Sequence, residues 1–142
     1  MNAYRVELRR HPLRWWIPVL AGAAAFMMFG RSRDWIGVWP QASAAVQLSA
    51  PAMAPLLAGC VAWGMARLRG ENGPYAAARP TWQARAAQAA AALTYAVGVY
   101  LAAAVAAVTV SGRLAGPGLL WPSYLALGCS LLLLATAVGM AT

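Results

Sequence analysis

Few side chains in this sequence of 142 residues are equipped for acid–base, nucleophilic or metal chemistry. The acids are Glu7, Asp34 and Glu71, and the one histidine is His11. His11 and Glu7 lie in the amino-terminal leader, while Asp34 and Glu71 fall in separate segments between apolar stretches. No nucleophile stands beside a base in this pattern. Cys60 and Cys129 sit inside apolar runs without metal-type or redox-type spacing, so both read as small buried hydrophobes. Lysine is absent, and with it any phosphate-cradling glycine loop ending in Lys-Ser or Lys-Thr. The residues assign no catalytic, cofactor or metal site, and the expectation is a protein that is not itself an enzyme.

What positions these residues is an unusually apolar chain. Hydrophobic residues make up 62% and charged residues 10%, against roughly a quarter charged in soluble domains. Too few polar residues remain to cover a water-facing surface, so much of the surface must face lipid. The net charge of +8 would ordinarily raise nucleic-acid binding. Here the basic residues occupy gaps between apolar stretches, as at the cytoplasmic ends of membrane helices, and no nucleic-acid partner is expected. All of them except His11 are arginine and alanine is abundant, the codon signature of a GC-rich bacterial genome.

A bilayer core of about 30 Å needs about 20 apolar residues at 1.5 Å each. Four stretches approach this, at about 13–30, 43–66, 86–111 and 121–142, and predict one all-α transmembrane domain over residues 1–142. The first resembles a signal peptide in its basic leader and small residues, but three spans follow and an uncleaved helix is expected. Arg5, Arg9, Arg10 and Arg14 precede the first span, and Arg67, Arg69, Arg79 and Arg85 separate the second from the third. Arg31, Arg33 and Arg113 belong to the other face. The positive-inside rule therefore places the amino terminus in the cytoplasm, with the chain in a bacterial plasma membrane. Trp15, Trp16 and Trp63 fall near the inner interface and Trp35, Trp39, Trp121 and Tyr124 near the outer one, where amphipathic rings settle. Cys60 and Cys129 then differ in depth by roughly 10 Å, too far for a disulfide.

Small residues recur every fourth position at Ala54, Ala58, Ala62 and Ala66, and at Gly98, Ala102 and Ala106. Such rows let helix backbones approach closely, although an alanine-rich chain also produces them by chance. Pro51 and Pro55 each remove a backbone donor, predicting a bend or local unwinding whose freed carbonyls need partners such as Ser49 or Gln47. Pro122 reads as a helix opener. Asp34 reads as a cap for a short outer helix, and His11 as an interfacial headgroup contact.

Two further segments carry a family resemblance. In the leader, Tyr4 and Leu8 share a helical face beside Arg5 and Arg9, which suits an amphipathic helix on the inner leaflet that turns inward at Pro12. In the inner loop, Gly70, Gly73 and Pro74 break the second helix, Tyr75 to Ala78 fit one short turn, and Pro80 precedes a new helix capped by Thr81. With Glu7-Leu8-Arg9-Arg10 and Arg14 ahead of the first span, and Arg69-Gly70-Glu71 followed by Pro80, the chain resembles the amino-terminal part of a type-2 ATP-binding-cassette exporter permease. The resemblance implies an interfacial elbow helix and, within Glu71 to Arg79, a coupling segment docking on a cytoplasmic ATPase. Glu71, Tyr75 and Arg79 would be its contact residues. ATP and magnesium would be held by that separate subunit, and a second permease chain or half would complete the path. Permeases of this family usually have six spans, so four spans would be part of such a domain. The alternative is a non-transporting accessory or assembly subunit of a larger membrane complex, bound laterally through its small-residue faces.

Overall fold

The computed structural model describes residues 3–11, 13–30, 32–70 and 81–141, and every element among them is a helix. These are α1 (Ala3–Arg10), α2 (Leu13–Phe29), α3 (Ser32–Trp35), α4 (Trp39–Gly70), α5 (Thr81–Ala115) and α6 (Pro122–Ala141). By length and apolar composition α4, α5 and α6 can each cross a membrane. With 17 residues, α2 is apolar but only about 25 Å long, short of a core of about 30 Å. The all-α membrane bundle expected from the sequence is present, with three helices of spanning length and one shorter apolar helix in place of the first stretch.

The long helices overrun the apolar windows that predict them. Helix α4 extends from the expected 43–66 to 39–70, and α5 from 86–111 to 81–115. Alanine, arginine, glutamine and leucine, all strong helix formers, make up most of these flanks, so the helix continues where the hydropathy falls. The prolines do not interrupt it: α4 runs without a break through Pro51 and Pro55, so the expected unwinding does not occur. Ser49 donates instead to the carbonyl of Val46, 2.6 Å away, rather than to a carbonyl that a proline frees. As expected, α5 starts at Thr81 and α6 at Pro122.

Contacts between the helices give their directions. Trp121 N–H, just ahead of α6, donates to Ser43 Oγ near the start of α4, and further along both helices Gly139 meets Ala58 and Val61. Helices α4 and α6 thus run in the same direction and share the most extensive contact of the bundle. Gln88 of α5 meets Gly64 of α4, while the His11 ring just ahead of α2 packs by Tyr95 of α5 and the groove between these two helices is lined as far as Phe29 and Ala106, so α2 and α5 run together in the opposite direction. Each long helix buries one helical stripe. On α4 it holds Val46, Ala50, Met53, Leu57, Val61 and Met65, and on α5 it holds Ala92, Ala96, Tyr100, Ala104 and Ala107. On α6 it holds Gly128, Leu132, Ala135 and Gly139.

Most of the remaining surface is apolar. Only 39%, 33% and 28% of the spanning windows of α4, α5 and α6 are buried within the chain, and Phe26, Leu48, Leu101, Val105, Leu127 and Leu134 face outward. An apolar surface this continuous requires lipid or further protein against it.

The two ends differ in how they are tied. At the Trp39 end, Trp35 is buried and donates from Nε1 to the Met28 carbonyl at 2.6 Å, pairing one of the carbonyls left free at the end of α2. Trp35 is therefore packed against the end of α2 rather than exposed at the surface. Asp34 lies exposed within the single turn of α3, not at its cap. Gly116 follows α5 with φ of +77°, the left-handed conformation that ends helices at glycine.

Candidate functional site

At the other end, three helices meet. Leu8 and Tyr4 of α1 face α5: the Tyr95 hydroxyl donates to the Leu8 carbonyl, and the Tyr4 hydroxyl lies 2.9 Å from Thr94 Oγ1. The amphipathic face expected of the leader is present, and it is turned onto α5. Helix α1 ends at Arg10 and α2 begins at Leu13; Pro12, the expected turn, lies outside the described residues. Its neighbour His11 is buried rather than exposed to headgroups, which corrects its expected role. Nδ1 accepts the Leu13 N–H at 3.1 Å and the His11 carbonyl accepts the Arg14 N–H, so His11 is the amino-terminal cap of α2. Burial lowers the imidazole pKa from its ordinary value. Its ring packs 6.3 Å from that of Tyr95.

Beyond this junction α4 and α5 continue alone. The start of α2 lies by Tyr95, through the His11 ring, and α5 begins fourteen residues before Tyr95, at Thr81. Gly64 of α4 faces Gln88 of α5 so closely that a Cβ there would overlap the side-chain amide. The projecting pair carries exposed Arg67, Trp82 and Arg85. Glu71, Tyr75 and Arg79, the expected coupling residues, lie in the segment 71–80 joining the pair and outside the described residues. Among the described residues, no three of the His, Cys, Asp and Glu side chains are gathered as for a metal. Cys60 and Cys129 are both free.

The expected packing residues are placed unequally. Ala54, Ala58 and Ala62 are half-buried beside the core stripe of α4, and the Ala58 carbonyl lies 2.5 Å from the position a Cβ on Gly139 would take. Gly98 and Ala102 are exposed, Ala106 is half-buried, and a Cβ on Gly98 would meet nothing within 4 Å. These three line a groove between α2 and α5 of about 480 Å³, with Ile17, Met28 and Tyr95 among its other walls.

Two glycines outside those four-residue rows mark close approaches of α6 to its neighbours. Gly128 lies under the ring of Tyr100 and Gly139 against the α4 backbone. Their spacing of eleven residues, three helical turns, is the signal that puts both on one face. No protein-family model matches the chain, and neither a curated protein nor a solved structure matches it significantly.

Proposed function

We propose that the chain is a membrane permease subunit of an ATP-driven exporter, moved through its 71–80 segment by a separate ATPase subunit that holds ATP and magnesium. The observation that carries this reading is the projecting pair: α4 and α5 run past the start of α2 on the side where α1 lies, and 71–80 joins their ends. Two helices that project in this way would present the segment joining them to a soluble partner. Because α4 also forms the largest helix contact, with α6, a displacement of the pair would be transmitted through the bundle. The eight arginines on this side orient it to the cytoplasm of a bacterial plasma membrane. A second permease chain or half would complete the pathway against the outward apolar faces.

Those same faces also support the accessory or assembly subunit, since less than two fifths of each spanning window is buried within the chain. Removing Glu71 to Arg79 separates the two readings. Under the exporter reading the shortened chain inserts normally but no longer co-purifies with an ATPase. Retention of an ATPase, or wild-type capture of a non-ATPase membrane complex that survives the deletion, overturns it.

A further inference from the structure

The groove between α2 and α5 has a shape, a lining and a charged end that together define an occupant. Its lining runs from Ile17 to Phe29 on α2 and from Thr94 to Ala106 on α5, twelve residues along each helix and so about 18 Å. With a volume of about 480 Å³ the groove has room for one extended hydrocarbon chain.

Its lining agrees. Ala21, Ala25, Gly98 and Ala102 form a smooth apolar floor. The only hydroxyls lie at one end, where Thr94 bonds the Ala90 carbonyl and Tyr95 the Leu8 carbonyl. That polar end continues into positive charge. Arg14 lies three residues before Ile17 and seven before Ala21, on the groove-facing stripe of α2. It is exposed, has no ion-pair partner among the described residues, and is followed by exposed Trp15 and Trp16. Arg5 and Arg9 of α1 are exposed at the same end.

We infer that the α2–α5 groove holds one acyl chain of an anionic phospholipid, whose phosphate-bearing headgroup lies against Arg14. Lipid tails are already in an apolar solvent, so burying a chain here gains little from hydrophobic transfer. Selectivity must come from the headgroup, and a single arginine near an anionic lipid corresponds to about fivefold. This site does not depend on the exporter reading, because none of its residues belongs to the 71–80 segment.

The test is native mass spectrometry of the full chain released from vesicles of equal phosphatidylglycerol and phosphatidylcholine. One retained lipid per chain is expected, with phosphatidylglycerol favoured about fivefold. Arg14→Gln should keep one lipid but lose the preference, and Gly98→Leu with Ala102→Leu should lose the lipid. Leu101→Ala, elsewhere on α5, should retain it. The proposal is overturned by wild-type lipids at the bulk ratio, by an undiminished preference in Arg14→Gln, or by a dimer that the groove-filling pair disrupts. Should the filled variant not fold, the arginine variant still decides.

Discussion

The bundle contains two seams built from small residues, and only one of them is closed. Between α4 and α6, Gly139 brings its backbone against the Ala58 carbonyl and the Val61 side chain, while Tyr100 of α5 closes over Gly128 of α6. Between α2 and α5, Ala21 and Ala25 look across at Gly98 and Ala102, and the space between them stays open. The difference lies in what opposes each small residue. A glycine beneath a valine or a tyrosine is a socket for a larger side chain. Alanine facing glycine offers nothing to fill the gap, and Ile17, Met28 and Tyr95 line it without closing it.

The largest effect is expected where the closed seam has no freedom to adjust. Gly139→Leu drives a side chain into the α4 backbone, and a carbonyl within a helix cannot rotate away as a flexible side chain can. Overpacking of this kind costs about 3 kcal/mol, and Gly139→Ala should cost about 1 kcal/mol by the same mechanism. Unfolding by denaturing detergent, followed by loss of helicity, measures both. If Gly139→Leu matches wild type, α4 and α6 do not approach this closely.

The same seam is stapled at its other end by one hydroxyl. Ser43 donates to the Trp39 carbonyl at 2.9 Å and accepts the Trp121 N–H at 3.0 Å. Ser43→Ala removes both bonds and strands a partly buried N–H just before α6, a loss of about 1–2 kcal/mol. Ser43→Thr preserves the hydroxyl and should recover part of that. An equal loss in both variants would mean that packing at this position, and not the staple, is responsible.

The open seam begins at a titratable cap. With its pKa lowered by burial, His11 binds fewer protons in the folded chain than in the unfolded one, so stability rises with pH across this group. Its contribution is complete above about pH 6.5 and declines as pH falls toward the folded value. Protonation also removes the lone pair that accepts the Leu13 N–H. Stability measured from pH 7.5 to 5 should therefore fall in the wild type and stay flatter in His11→Asn, which keeps an acceptor but does not titrate. Parallel curves would assign the pH dependence to another group.

Much of this architecture is legible in the order of residues alone. Hydropathy locates the four apolar helices because lipid-facing and core positions are both apolar, and Pro122 and Thr81 mark two helix starts. The ends of α4 and α5 escape it, since alanine and arginine extend a helix without raising hydropathy. The seams escape it for another reason. A row at Gly98, Ala102 and Ala106 and a pair at Gly128 and Gly139 are equally small, and their opposite neighbours decide which one closes. Residue spacing along one helix carries no information about the side chain across from it. His11 shows the same limit: its type fits a wet interface, but the fold of α1 onto Thr94 and Tyr95 buries it.

The smallest effect provides the sharpest contrast with Gly139. Gly98→Leu places the same bulk at the same kind of residue in the same kind of helix, yet a new Cβ there meets nothing within 4 Å. The added side chain can enter the groove without displacing a neighbour, and replacing glycine within a helix gains up to about 1 kcal/mol in helix propensity. Stability should stay within about 1 kcal/mol of wild type, with any change toward greater stability. The same detergent titration compares it directly with Gly139→Leu. A loss as large as that of Gly139→Leu would show that α2 and α5 close in the membrane, making the two seams alike and leaving no room for a lipid chain. A neutral result keeps them distinct, because the same substitution is then costly only where a backbone lies opposite.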